Sequence, residues 1–148
     1  MDIVLPLQTQ EPLRRLEKRL SQVVNFDPQP FFETLTGSVR HILTARTRPP
    51  FIVELFELGS DRFVVERFSR RREEWSGQIK RRVFLPSAED VIVQKLRWGR
   101  AKDLEDARDV LAVQTPAKLD MSYITRWCEV HQTSLQLNKM LSEVEWLD

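Results

Sequence analysis

Two side chains stand where apolar ones belong, and both carry charge. Lys95 lies four residues after Val91 and three after Ile92, so its side chain starts from the apolar face of a helix. An ammonium leaving water needs a charged partner; without one, desolvation lowers its pKa or the chain snorkels outward. Asp103 and Asp106, on the next segment, stand at about the right reach. Two readings are open at this point: a snorkelling lysine in a structural ion pair, or a cation held beside carboxylates to meet a phosphate. The second side chain is Glu54, in the middle of the apolar run Phe51–Leu58 (FIVELFEL). A buried, unpaired carboxylate costs several kcal/mol or becomes protonated, so Glu54 needs a metal, a cation or exposure in a cleft.

The elements that must position these residues are written nearby. Pro86 stops an extended segment and Ser87 can cap a helix. Asp90 three residues on completes a capping box, and Glu89 adds negative charge to the same first turn. Val91, Ile92 and Leu96 supply an apolar stripe at helical spacing, and Gly99 ends it. A second helix follows, with Leu104, Ala107, Val110 and Leu111 on one side and Asp103, Asp106 and Asp109 on another.

The run Pro86–Ser87–Ala88–Glu89–Asp90, then Lys95–Leu96, then Lys102–Asp103 and Asp106, resembles the C-terminal signature of nucleotidyltransferase-fold proteins of the minimal and AbiEii-like kind. In that family a Pro-x-x-Glu-Asp turn opens a helix carrying Lys-Leu, and a basic-Asp-x-x-Asp segment opens the next. The resemblance extends loosely from residue 1 to about residue 140. It implies a Mg²⁺-dependent enzyme acting on a nucleoside triphosphate, with RNA, a protein hydroxyl or a small molecule as acceptor. Asp2 matches the second aspartate of the family's Asp-x-Asp strand, and Glu54 stands where the family carries a further metal-binding carboxylate, usually aspartate. Asp2 and Glu54 would then be the metal ligands. Lys95 would be the phosphate contact, with Asp103 or Asp106 orienting it. Paired arginines follow the carboxylate strand in the family, which makes Arg70 and Arg71 candidate contacts for phosphate or nucleic acid, with Arg100 and Lys102 beside the lysine. The family's Gly-Ser loop and first aspartate have no counterpart here, so the expectation is a truncated or degenerate active site or a start assigned too late.

Composition sets the frame. A chain of 148 residues fits one domain, which buries roughly 70% of the surface its unfolded form exposes. The expectation is therefore a single domain, with a sheet-containing part over 1–85 and a helical part over 86–148. The one cysteine, Cys128, excludes an intrachain disulfide and fits a reducing cytosol. It shares a helical apolar pattern with Ile124, Trp127 and Val130, as a core residue does. No apolar run approaches the length of a membrane span, and the N-terminus lacks a signal-peptide pattern, so a soluble cytoplasmic protein is expected. Net charge is +1, but residues 67–102 hold eleven Lys and Arg against four Asp and Glu. Such asymmetry can draw phosphate-bearing ligands to one surface.

Along the chain, residues 2–7 read as a strand. Residues 11–24 read as an amphipathic helix with Leu13, Leu16, Leu20, Val23 and Val24 inward. Phe31, Phe32 and Leu35 suggest a further turn or short helix closed at Gly37. Strands are expected over Val39–Leu43, Phe51–Leu58 and Gly77–Leu85, and a short helix over 60–68. Asp120 looks like the N-cap of a helix ending near His131. A last helix from Ser134 sets Leu137, Met140, Leu141, Val144 and Leu147 on one stripe, which would close the core or meet a second copy in a homodimer. Strand, helix, more strands and then helices make an α+β domain, a small mixed sheet with a C-terminal helical part. That fold is also the one the resemblance implies.

Three functions compete. One is nucleotidyl transfer, in which carboxylates hold Mg²⁺ against the triphosphate and a lysine stabilises charge in the transition state. The second is a non-catalytic relative of the same fold, a binding or toxin–antitoxin-type interaction protein. The third is a Mg²⁺-dependent nuclease using Glu54 and Glu57, disfavoured because no lysine follows closely on that strand.

Overall fold

The computed structural model describes residues 1–7, 9–114 and 116–144. The fold is α+β, with a small mixed sheet, a separate antiparallel strand pair and C-terminal helices. The chain divides into two compact units, Met1–Val65 and Glu66–Asp148.

The first unit holds β1 (Asp2–Leu5), α1 (Glu11–Leu20), β2 (Val24–Phe26), β3 (Phe31–Glu33), β4 (Ser38–Ala45) and β5 (Ile52–Glu57). Strand order is β1-β5-β4-β2, with β3 also pairing β4, and β1 runs parallel to β5 while the other pairs are antiparallel. Alternation along β4 and β5 turns Leu43, Val53 and Leu55 to one face. There they form a buried cluster with Leu13 and Val24, against which Leu5, Leu16, Leu20 and Phe26 also pack. Pro12 in the first turn of α1 suits its start, because the missing N–H has no helical partner there. Each fully buried Leu or Val on this face contributes about 1.5–3 kcal/mol of transfer free energy.

Two expectations are corrected here. The helix expected to reach Val24 stops at Leu20, and Val24 instead pairs with Ala45 as a strand residue. Val24 is inward as expected, but Val23 is exposed. A valine four places after Leu20 continues a helical stripe, so periodicity could not separate the two; the β-branched pair and the waiting edge of β4 decide for strand. Phe31–Glu33 is likewise a strand, not a helical turn. The tight turn back to β4 is built by Glu33, whose carboxylate accepts from the N–H groups of Leu35 and Thr36 and from the Thr36 hydroxyl. Gly37 closes that turn at φ +65, where a side chain would be strained.

α2 (Arg62–Arg70) runs through the point of division. Its start is capped by Asp61, which accepts from the N–H of Val64 at 3.0 Å. The second unit continues with β6 (Arg72–Ser76), β7 (Arg81–Leu85), α3 (Ala88–Trp98), α4 (Ala101–Val113), a 3₁₀ turn at Pro116–Lys118, α5 (Met121–Val130) and α6 (Ser134–Glu143). β6 was not expected, and the strand expected from Gly77 begins only at Arg81, because residues 77–80 form the hairpin turn. α3 packs against α4 and α5, and α5 against α6. Ile92, Val93, Leu96, Ala107, Leu111, Ile124 and Cys128 are fully or almost fully buried. Cys128 is thus a core residue, and burial pushes its thiol pKa up. Of the stripe expected on the last helix, Leu137, Met140 and Val144 are buried, while Leu147 lies outside the described residues. No helix among the described residues is long and apolar enough to cross a membrane.

Candidate functional site

The frame around Lys95 is built from local chemistry. Ser87 caps α3, its hydroxyl oxygen accepting from the N–H of Asp90 at 3.2 Å. Gly99 ends the helix at φ +66, and its N–H returns to the Lys95 carbonyl at 3.0 Å. That left-handed residue reverses the chain at once, so α4 begins at Ala101 and sets its first two turns beside the last turn of α3.

Lys95 meets both expected aspartates. Its Nζ lies 3.2 Å from Asp103 Oδ1 and 2.5 Å from Asp106 Oδ2. Arg100 closes the cluster from the other side, Nε at 2.5 Å and Nη2 at 3.2 Å from the two Asp103 oxygens. The Lys95 ammonium and the Arg100 guanidinium each lie 5.4 Å from the centre of the Trp98 ring. Two cations therefore face two carboxylates, and the local charge is balanced. Asp103 is only 1% exposed, covered by the cations that it binds. Hydrogen bonds from Arg100 hold its carboxyl below the ordinary value; burial opposes this, and the Lys95 bond adds to it. For Lys95, burial works to lower the pKa, but the bonds to Asp106 and Asp103 outweigh it and the ammonium is held above its usual value. Lys102 is exposed in the first turn of α4.

Asp2 and Glu54 belong to the first unit and are brought together there. They are partners in the parallel β1–β5 ladder, so their side chains leave the same face of the sheet, opposite the one that packs on α1. Glu54 is not an isolated carboxylate: its Oε1 accepts from Arg40 Nη1 at 2.8 Å. Arg40 comes from β4, one strand over, and its guanidinium lies 5.4 Å from the Phe31 ring centre. Asp2 is exposed, with Oδ1 3.8 Å from the terminal ammonium. Mg²⁺ asks for near-octahedral oxygen ligands, usually one or two carboxylates completed by phosphate and water. Arg40 already supplies the positive charge beside Glu54 that such an ion would supply. Among the described residues, no group of three or more His, Cys, Asp or Glu is gathered for a metal. As arranged, the pair does not fit a resident Mg²⁺.

Two polar centres were missing from the sequence reading. In the second unit, Asp90 is fully buried. Its Oδ1 accepts from the Tyr123 hydroxyl at 2.5 Å and its Oδ2 from the Ser87 hydroxyl at 2.9 Å. Arg70 Nε lies 3.5 Å from Asp90 Oδ2, Arg70 Nη2 lies 3.9 Å from Glu89 Oε2, and the guanidinium stacks 3.9 Å above the Tyr123 ring. Glu89 also accepts from the N–H of Asp120 at 3.1 Å, joining α3 to the start of α5. Burial works to raise the Glu89 pKa, but its hydrogen bonds and Arg70 hold it below the ordinary value. Burial, with Asp90 close by, pushes the Tyr123 hydroxyl far up. Arg70, a candidate phosphate contact, is thus half-buried against Asp90, Glu89 and the Tyr123 ring. Arg71, its neighbour, stacks on the Phe68 ring at 3.9 Å and reaches the Phe84 ring at 5.0 Å.

The second missing centre is in the first unit. His41 Nε2 lies 2.8 Å from Glu57 Oε1, on the α1 face of the sheet. His41 lines an open groove of about 600 Å³ with Leu13, Arg14, Asn25, Asp27 and Arg46. Only the β4–β5 register brings this pair together, from positions sixteen apart in the sequence.

No protein-family model matches this chain, and no curated protein matches it.

Proposed function

We propose that the chain is a nucleotidyltransferase-like protein acting as a non-catalytic binding or interaction module. The observation that carries this reading is charge compensation. Glu54 is held by Arg40 at 2.8 Å, and the Lys95–Asp103–Asp106–Arg100 cluster is neutral within itself. A site that transfers a nucleotidyl group needs carboxylates open to metal and a cation open to phosphate. Here each would first have to give up a partner. The buried free thiol suits a reducing compartment and supports a cytoplasmic placement.

A second reading, Mg²⁺-dependent nucleotidyl transfer from a nucleoside triphosphate to an RNA or protein acceptor, draws on one observation. Asp2 and Glu54 stand side by side on one sheet face. Isothermal calorimetry with Mg²⁺–ATP separates the two. The interaction-module reading expects no saturable binding in the micromolar range and no difference between wild type and Glu54→Gln. Micromolar binding abolished by Glu54→Gln and by Lys95→Met would overturn it in favour of transfer.

A further inference from the structure

The β6–β7 hairpin of the second unit carries exposed aromatic rings and cations together. Both strands are exposed along nearly their whole length. Trp75 is 65% and Phe84 60% exposed, a costly arrangement for large rings unless something covers them. The register pairs Trp75 with Arg82 and Glu73 with Phe84, so alternation sets both aromatic rings and Arg82 on one face. Arg72 pairs with Leu85 and Arg81 with Ser76 on the other, and Lys80 sits in the turn at φ 51. From Arg71 to Leu85 there are five cations and two carboxylates. Arg82 pairs with Glu73 at 2.8 Å, whereas Arg72, Lys80 and Arg81 carry no ion pair among the described residues. This is the reverse of the Lys95 cluster, where every charge is matched.

We propose that this hairpin is a docking ribbon for single-stranded nucleic acid, with RNA as the form to test first. Exposed aromatic faces flanked by unmatched cations have the chemistry a single strand asks for: bases stack on the rings, and the phosphates run beside positive charge. Two strands stand only about 5 Å apart, so arginines rooted on the back face reach the ribbon's edges, where the phosphates would lie. Arg71, laid against Phe84, extends the stacking surface with a guanidinium plane. A duplex offers no free base faces, which argues for a single strand. The proposal stands independently of whether the protein transfers nucleotides.

The experiment is fluorescence anisotropy of a labelled oligouridine titrated with the full chain over a series of salt concentrations. Three unmatched cations predict that log K falls with log salt at a slope of about −2, because single-strand binding loses about 0.7 per phosphate neutralised. Trp75→Ala is expected to weaken binding about tenfold, in line with the loss of one stacked base. Trp75→Phe should restore most of that affinity, which a merely unfolded hairpin would not do. Arg81→Gln, at an exposed and unpaired position, should flatten the slope by about 0.7. No binding by the wild type, equal affinity for duplex of the same length, or indifference to Trp75→Ala would each overturn the proposal. So would sedimentation showing that Trp75→Ala breaks a dimer while leaving oligouridine affinity unchanged, since the ribbon would then meet a second copy.

Discussion

Asp103→Asn is the sharpest test of the Lys95 cluster as a fastening between α3 and α4. The change keeps the side-chain shape and removes the charge, turning a neutral group of four into one with an excess cation. Removing one partner of a fully buried ion pair costs about 3–5 kcal/mol. Here the cost is smaller for two structural reasons. Lys95 keeps Asp106 at 2.5 Å, and Arg100 is largely exposed, so it can turn into water. About 2 kcal/mol is therefore expected, taking the low end of the buried-pair range and discounting for solvent. With a urea dependence of about 1–3 kcal/mol per molar, the unfolding midpoint should fall by about 1 M. Every tryptophan lies beyond residue 65, and Trp98 touches the cluster itself, so tryptophan fluorescence reads the second unit alone. Asp106→Asn, at a more exposed carboxylate, should cost less than half as much. A midpoint shift below about 0.3 M for Asp103→Asn, at an unchanged urea dependence, would refute the fastening. So would an equal shift for both variants, because Asp103 is buried and Asp106 is partly exposed.

The same titration tests the buried centre at Asp90: Tyr123→Phe removes one donor from a fully buried carboxylate and should cost about 1–2 kcal/mol, while an unchanged midpoint would mean that water or Arg70 replaces the hydroxyl. The pH dependence follows from the signs. Asp103 and Glu89 are held below their ordinary values of 3.8 and 4.5, so the stability they contribute is present above those values and is lost as pH falls through the lowered ones. Lys95 is held above 10.5, so its contribution is intact below that value and is lost as pH rises through the raised one. Tyr123, raised from 10.0, acts in the same direction on the alkaline side. The urea midpoint of the second unit should thus fall below about pH 5 and above about pH 9, and Asp103→Asn should shrink the acid limb directly and the alkaline limb in part, through the bond that Lys95 loses.

What could be read in the sequence follows how far apart the partners are. α3, its Ser87 cap, its Gly99 stop and the Lys95–Asp103–Asp106 contact are all fixed within one helical hairpin, where spacing is enough. Glu54 was legible as a carboxylate in need of a partner, but Arg40 as that partner was not, because it depends on the register of β4 against β5. Tyr123 on Asp90 spans thirty-three residues and two helices, and it sits beside Ile124 in a pattern that reads as ordinary core. β3 and β6 were missed for a different reason. Both are short, largely exposed strands, so neither shows the alternation of buried and solvated positions that marks a strand in sequence. Arg70 and Arg71 looked alike in sequence, yet one is committed to a buried carboxylate and the other lies on aromatic rings.

That last contrast separates charge that builds the protein from charge available to a ligand. A phosphate gains little from a lysine whose charge is already matched, because binding must first break a short, partly desolvated ion pair and then leave a carboxylate facing the incoming anion. Lys95 carries that handicap twice, with two aspartates on one ammonium. Among the described residues, Arg72, Lys80 and Arg81 carry no such pair. The two sets therefore predict opposite salt behaviour. Added salt should weaken oligouridine binding through the hairpin while changing the Lys95 cluster's contribution to stability far less, since a covered pair is screened much less than exposed charges. Should nucleotide affinity follow Lys95→Met and ignore Arg81→Gln, the assignment of these two roles is inverted, and the cluster rather than the ribbon is where phosphate is met.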